Sequence, residues 1–201
     1  EGLTPKQTRQ RLSEMGYQNI VAFQTRNPLH RVHEELTRRA IETYNAALFL
    51  HPIVGLEKPG DVEFYNRIHS YQTFVERHFD KRRVQLALLP FATRFAGPRE
   101  TVLDAIMRRN YGANHLIIGR NHASPLSDRE GKRFFAAYDA QSLFRDFSDE
   151  VGVKLIPFRT LVHARKSHQV DDVDRVPHDA NTAAISRAKL QGITPLTNRT
   201  P

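Results

Sequence analysis

The stretch "VAFQTRNPLHRVHEEL", residues 21–36, decides how the chain is read. It begins as an apolar run and passes through Gln24, Thr25, Arg26, Asn27 and Pro28. It then continues into a segment with histidines at positions 30 and 33. Beyond the proline, Val32, Leu36, Ala40 and Tyr44 fall on one helical face, with Arg and Glu on the other, so residues 30–46 predict a helix. The stretch is therefore a strand-to-helix junction loaded with donors. One reading is a polar loop leading into a solvated helix. The other is an oxyanion or phosphate site, because the start of a helix presents free N–H groups and the positive end of its dipole.

The same unit recurs outward from this junction. Residues 4–15 predict a short helix with Thr4 as cap and Pro5 in the first turn, ended by Gly16. NIVAF (19–23), ALFLHPIV (47–54), VQLALLPF (84–91), HLIIG (115–119) and VKLIPF (153–158) read as strands. Helices are expected between them at 30–46, 62–79, 101–111 and 131–148, the last either whole or broken. The strands are continuous apolar runs rather than alternating ones. Regular alternation of such strands with helices predicts an α/β fold: a Rossmann-like, doubly wound parallel sheet of about five strands with helices on both faces. Ligands of such folds bind outside the carboxyl ends of the strands. The polar clusters QTRNPLH, HPIVGLEKPG, ATRFAGPRE and GRNHASP all follow strand ends, so they are expected at one edge of the sheet. The expected division is a catalytic domain over residues 1–165 and a partly irregular C-terminal segment over 166–201, a small tail subdomain in which 180–191 predicts one helix.

Composition narrows the chemistry. The 201 residues include no cysteine, which removes disulfides, thiolate zinc sites and thiol nucleophiles. No apolar run approaches a membrane span, and EGLTPKQTRQRL lacks the apolar centre of a signal peptide, so a cytoplasmic location is the default expectation. The net charge of +8 suits a polyanionic partner, but no zinc-finger spacing or paired-aromatic RNA motif appears, and no nucleic acid is expected. The densest basic run, Lys81-Arg82-Arg83, reads as a solvated turn.

His30 and His33, three apart, share a helical face. HEELT at 33–37 begins like a zinc-protease motif, but Thr37 stands where the second histidine is required. For a bare pair of this spacing, surface or structural histidines are the ordinary outcome; its place after a strand and QTRNP moves the balance toward a nucleotide site. Arg26 and Arg120 follow different strands, each beside an amide (Gln24 and Asn27; Asn121). A surface salt bridge is the usual fate of an arginine, yet two forked guanidiniums at neighbouring strand ends suit one tetrahedral anion. Arg94 and Arg99 either add charge or pair with Glu100. No Ser–His–Asp order, carboxylate pair or Walker loop is present. Positive donors without a nucleophile fit a reaction in which two anions are oriented and a charged transition state is stabilised, that is, phosphoryl or nucleotidyl transfer.

QTRNPLHRVHEEL, GLEKPGDV, FATRFAGPRE, NYGANHLIIGRNHASP, YDAQ and LIPFRTLV resemble, in order, the successive blocks of the ATP sulfurylase (sulfate adenylyltransferase) catalytic domain, within the HxGH nucleotidylyltransferase superfamily. The resemblance spans roughly residues 1–165. It implies that ATP and sulfate give adenosine 5′-phosphosulfate and pyrophosphate, by in-line attack of a sulfate oxygen on the α-phosphorus. It further implies that Gln24, Arg26, Arg120 and the Ala123 N–H hold sulfate. Thr25, Arg26 and Asn27 form the active-site triplet, and His30 and His33 stabilise the phosphates. Gln24, Thr25, Asn27 and the run Gly119, Arg120, Asn121 and His122 line the nucleotide, Leu161 lies near adenine, and Phe158 couples ATP binding to sulfate recognition. Mg²⁺ is expected to travel with ATP, and the resemblance leaves room for a homo-oligomer. Three departures stand out. The family's Gly-Arg-Asp-His is here Gly119-Arg120-Asn121-His122. Its Ile-Ser-Gly-Thr-Glu-Leu-Arg segment is only partly kept at 185–190. Its N-terminal β-rich domain and any C-terminal kinase-like domain are not among these residues, so the sequence reads as a lone catalytic domain or a piece of a longer chain. Asn121 motivates an alternative acceptor, a phosphonate or organic phosphate; a catalytically retired nucleotide-binding subunit is the third reading.

Overall fold

The computed structural model describes residues 2–55, 62–125 and 127–158, with strands at 161–164, 169–172 and 182–184. The chain divides into two compact units after Phe158. In the first, β1 (Asn19–Phe23), β2 (Ala46–Leu50), β3 (Val84–Leu86), β4 (His115–Ile118) and β5 (Lys154–Pro157) form one sheet in the order β3-β2-β1-β4-β5. Every pairing is parallel. The helices between them are α1 (Pro5–Glu14), α2 (Arg31–Thr43), α3 (Phe64–His78), α4 (Pro98–Asn110) and α5 (Asp139–Val151). Parallel strands need crossovers, and the apolar runs are continuous because both faces of the sheet are covered. Ile20, Ala22, Ala47, Phe49, Leu116 and Ile118 pack in one cluster with Leu12 of α1, Ala105 of α4 and Phe144 of α5. The alternate residues Val21, Phe23, Leu48 and Leu50 point to the opposite face and are also buried.

The expected strand–helix order is present, with boundaries set by local chemistry. The helix start Thr4-Pro5 carries a capping box with Gln7. β2 stops at Leu50 because Pro52 cannot donate to the ladder; pairing resumes as a single bridge between Ile53 and Leu89. α4 starts at Pro98, three residues early, with Gly97 as its cap at φ 57. α5 starts at Asp139 rather than at 131, because residues 129–138 form turns and bends, and it ends on Gly152 in the left-handed region. The basic run is a single 3-10 turn, and Arg83 is more than solvated: its guanidinium donates to the carbonyls of Ala46 at 2.9 Å and Ile41 at 2.7 Å.

The second unit contains β6 (Leu161–Ala164), β7 (Gln169–Asp172) and β8 (Thr182–Ala184), an antiparallel sheet in the order β7-β6-β8. The helix expected at 180–191 is overturned at Thr182–Ala184, which pairs with β6 instead. A short alanine-rich segment is a marginal helix alone, so a neighbouring strand edge decides its conformation. Residues 185–190, where the family segment is only partly kept, lie outside the described residues. Among the described residues no helix is long and apolar enough to cross a membrane.

The order of strands reverses between β1 and β4, since β1 leads on to β2 on one side and β4 to β5 on the other. That is the crevice at which open α/β sheets take their ligands. Beyond β2, a Cβ added at Gly55 would collide with the Phe91 carbonyl in the segment that follows β3. Gly55→Ala is therefore expected to lose about 2 kcal/mol or more in urea denaturation. Gly119→Ala, with nothing within 4 Å of the new Cβ, is expected to lose less than about 1 kcal/mol.

Candidate active site

The turn after β1 is built by its own side chains. The Asn27 N–H donates to Thr25 Oγ1 at 3.0 Å, and that hydroxyl donates to the Asn27 carbonyl at 3.1 Å. Ile53 N–H donates to the Thr25 carbonyl at 2.9 Å, so the turn is tied to the chain beyond β2. Thr25 is buried, Arg26 half-buried and Asn27 exposed. The Arg26 guanidinium lies 5.0 Å from the centre of the Phe95 ring. Its carbonyl accepts from the buried Arg67 of α3 at 3.3 Å.

The start of α2 is capped by histidines. His30 is the N-cap, and its Nδ1 accepts from Val32 N–H at 3.3 Å. His33 Nδ1 reaches back to accept from His30 N–H, also at 3.3 Å. The exchange is a capping box in which imidazoles replace the usual hydroxyl and carboxylate. An Nδ1 that accepts carries no proton, so both neutral rings hold their proton on Nε2. Their centres are 4.0 Å apart, and His33 lies 5.5 Å from Phe23 at the end of β1. Burial lowers the pKa of both; for His33 burial first and His30 second bring it to about 3. The pair is thus a set of neutral Nε2–H donors. A cavity of about 320 Å³ opens beside His30 between α2 and α3, lined also by Arg31, His69 and Arg77.

On the β4 side, Gly119 and the exposed Arg120 leave the strand. Asn121 and Ala123 take positive φ values of 55 and 51. Asparagine and aspartate both tolerate that conformation, so the backbone accepts either residue at 121. Asn121 N–H donates to the Ala137 carbonyl at 2.7 Å, and the Ala123 carbonyl accepts from Gly97 N–H at 3.0 Å. Glu100, buried in the first turn of α4, accepts from the N–H groups of Arg94 and Ala96, each at 2.8 Å. It therefore shapes the 93–97 loop through backbone donors rather than through an arginine pair. Phe158 N–H donates to the Ile118 carbonyl at 3.2 Å. The Gln141 amide bridges the carbonyls of Ile118 at 2.8 Å and Phe158 at 2.9 Å. Leu161 begins β6 of the second unit, and its side chain lies outside the described residues.

Asp104 of α4 joins the two loops. Fully buried, it binds Arg108 at 2.8 Å through one oxygen and His122 Nε2 at 3.3 Å through the other. The Gln24 amide lies beside it. Burial alone would raise its pKa, but the His122 hydrogen bond, the Arg108 charge and the Gln24 amide hold it below the usual carboxylate range. Arg108 donates in addition to the His51 carbonyl at 3.4 Å. The His51 ring is buried between Phe49 and Tyr111, at 4.4 and 4.5 Å, and burial first, then the Arg108 charge, lower its pKa to about 2. Sequence reasoning missed Asp104, Arg108, Glu100 and Gln141. Asp104 and Arg108 stand four apart in a helix, the spacing of an ordinary exposed ion pair, and only tertiary packing makes them internal.

The chain matches the ATP-sulfurylase family over residues 2–198. A sulfate adenylyltransferase of Mycosarcoma maydis is 42% identical over 188 residues, 94% of this chain and 33% of that protein. One of Schizosaccharomyces pombe is 40% identical over the same length, covering 38% of it. The chain thus spans about a third of the length of such curated relatives. A solved structure described as a hexameric APS kinase from Thiobacillus denitrificans superposes with a TM-score of 0.74 at 26% identity, covering 94% of this chain and 34% of that one.

The histidines set the response to acid. His30, His33 and His51 have folded pKa values below the ordinary 6.5. Below that value the unfolded chain binds more protons than the folded one, so stability is fully present above pH 6.5 and is lost as pH falls toward about 3. Each histidine contributes at most about 1.4 kcal/mol per pH unit. The melting temperature is expected to drop by roughly 5–10 °C between pH 7 and pH 5. His51→Phe should flatten part of that slope; a melting temperature constant over this range would contradict the buried, neutral assignment.

Proposed function

The chain belongs to the ATP-sulfurylase family, and on that premise we propose that it carries the catalytic site of a sulfate adenylyltransferase, an enzyme of the nucleotidyltransferase class. AMP passes from ATP to sulfate, giving adenosine 5′-phosphosulfate and pyrophosphate, and the reverse reaction uses the same groups. The observation that carries the reading is the pairing of two donor-rich loops across the switch point of the sheet, joined below by Asp104.

Sulfate is already ionised, so the reaction needs no general base. Its barrier lies in bringing two anions together and in the charge that builds on the phosphates. Arg26 and Arg120 supply forked cationic donors to sulfate, with the Gln24 amide and the Ala123 N–H completing its shell. Phe95, beneath the Arg26 guanidinium, limits the directions in which that arginine can point. Thr25 and Asn27 hold the β1 turn to its shape beside the nucleotide, and Gly119, Asn121 and His122 line it from the other loop. His30 and His33 donate from Nε2 to the phosphate oxygens. As neutral donors they stabilise the charge that develops on pyrophosphate without binding the ground state as tightly as two cations would. The donor-lined cavity beside His30 supports a phosphate end on this side. Phe158, fixed to β4 through Gln141, moves with the loop that holds Arg120, which supports a coupling role. Leu161 is assigned to the adenine by family resemblance. The domain carrying this chemistry is taken as residues 1–165, followed by the C-terminal segment.

Mg²⁺ on this reading arrives on the ATP phosphates, as it does where few protein ligands are offered. Among the described residues no group of three His, Asp or Glu side chains could hold a resident metal ion. A cytoplasmic site of action fits the substrates, and the hexameric neighbour supports a homo-oligomer.

With ATP, Mg²⁺, sulfate and pyrophosphatase, the protein is expected to release phosphate in a sulfate-dependent manner and to accumulate adenosine 5′-phosphosulfate. Arg120→Ala should reduce the rate by roughly 100-fold or more. Absence of sulfate-dependent release by the wild type would overturn the reading. A parallel screen with phosphonates and organic phosphates tests the alternative acceptor.

A further inference from the structure

Two loops that hold one anion between them need a common reference, and one side chain touches both. Asp104 lies beneath the crevice on α4, with no exposed surface. We propose that Asp104 is the positioning residue of the acceptor site: its carboxylate fixes Gln24 from the β1 side and His122 from the β4 side, and so sets the spacing and donor directions that the oxyanion meets.

The hydrogen positions follow from the chemistry of the partners. An ionised carboxylate only accepts. His122 Nε2, 3.3 Å from Asp104 Oδ2, is therefore the nitrogen that bears the proton. The Gln24 amide lies beside the same carboxylate, and its Oε1 is buried with no hydrogen-bond partner, so Asp104 is the polar group at hand to direct it. The carboxylate itself cannot swing. Arg108, also without exposed surface, holds Oδ1 at 2.8 Å and donates a second bond to the His51 carbonyl at the end of β2. Asp104 thereby refers both loops to the sheet. The neighbouring Asn121 has no carboxylate, so the negative charge behind the β4 loop comes from α4.

The inference rests on the sulfate adenylyltransferase reading for its kinetic arm alone. That arm compares Asp104→Asn with Leu12→Ala, a core truncation on α1 that lowers stability away from the crevice. In Asp104→Asn the KM for sulfate should rise roughly 10- to 100-fold. In Leu12→Ala, assayed below its melting temperature, the sulfate KM should stay within about twofold. Equal effects of the two variants on the sulfate KM would reduce Asp104 to a structural role and overturn the proposal. The second arm is imidazole ¹⁵N NMR of the wild-type protein, with the His122 signal assigned by its loss in His122→Gln. A protonated Nε2 at His122, released to mixed tautomers in Asp104→Asn, supports the proposal; a protonated Nδ1 with bare Nε2 in the wild type overturns it. If the wild type turns over no sulfate, the functional reading fails and the NMR arm alone decides on Asp104. If Asp104→Asn does not fold, the wild-type signal still decides.

Discussion

A carboxylate and a guanidinium buried without access to water are the constraint on which the rest of this molecule turns. Taking both charges out of solvent is costly, and the cost is met only when each is closely matched. Asp104 and Arg108 meet most of the condition through the ion pair, with His122 on one side and the His51 carbonyl on the other, and of the pair only the buried Arg108 Nε is left without a partner among the described residues. The consequence is geometric. Removing any one of these partners leaves a charge in the interior under-satisfied, so α4, the ends of β1, β2 and β4, and both donor loops are held in one arrangement. Breaking the pair from either end costs on the order of 3–5 kcal/mol, a large fraction of the stability of an ordinary domain.

The architecture was legible because two signals agreed. Continuous apolar strands alternating with amphipathic helices allow few arrangements other than a covered parallel sheet. Caps written in the sequence, Thr4-Pro5 and Gly16, fell where local chemistry puts them. The misjudged edges share a cause. Pro52 cut β2 short although the apolar run continues through it, and the turns at 129–138 delayed α5 although the composition there is not unlike a helix. At Thr182–Ala184 a neighbouring strand prevailed over helix propensity. In each case the deciding interaction involves a residue distant in sequence or a missing donor, which periodicity does not register.

The candidate site was legible to the extent that its residues sit in loops. Polar clusters after buried strands stand out against their surroundings, so Gln24 to Asn27, His30, His33 and Gly119 to Ala123 were singled out from composition, and the family resemblance gave them roles. What holds those loops was not visible. Glu100 is spent on two backbone N–H groups, Gln141 on two backbone carbonyls, and Asp104 on two side chains. All three lie in helices, where a polar residue ordinarily faces water. The chain's one departure in the Gly-Arg-Asp-His block falls at a left-handed backbone position that asparagine and aspartate both tolerate.

The reciprocal cap at the head of α2 has a consequence for which sequences can occupy it. Each of the two imidazoles works as a bifacial part, accepting a backbone hydrogen on one edge and offering a hydrogen on the other. Lysine and arginine have no acceptor, and ionised aspartate and glutamate have no donor; either kind keeps half of the function and forfeits the other. On the proposed function, folding and chemistry draw on opposite edges of the same rings. Substitution at either position is filtered twice, so this short segment should drift more slowly than a helix start capped by serine or threonine.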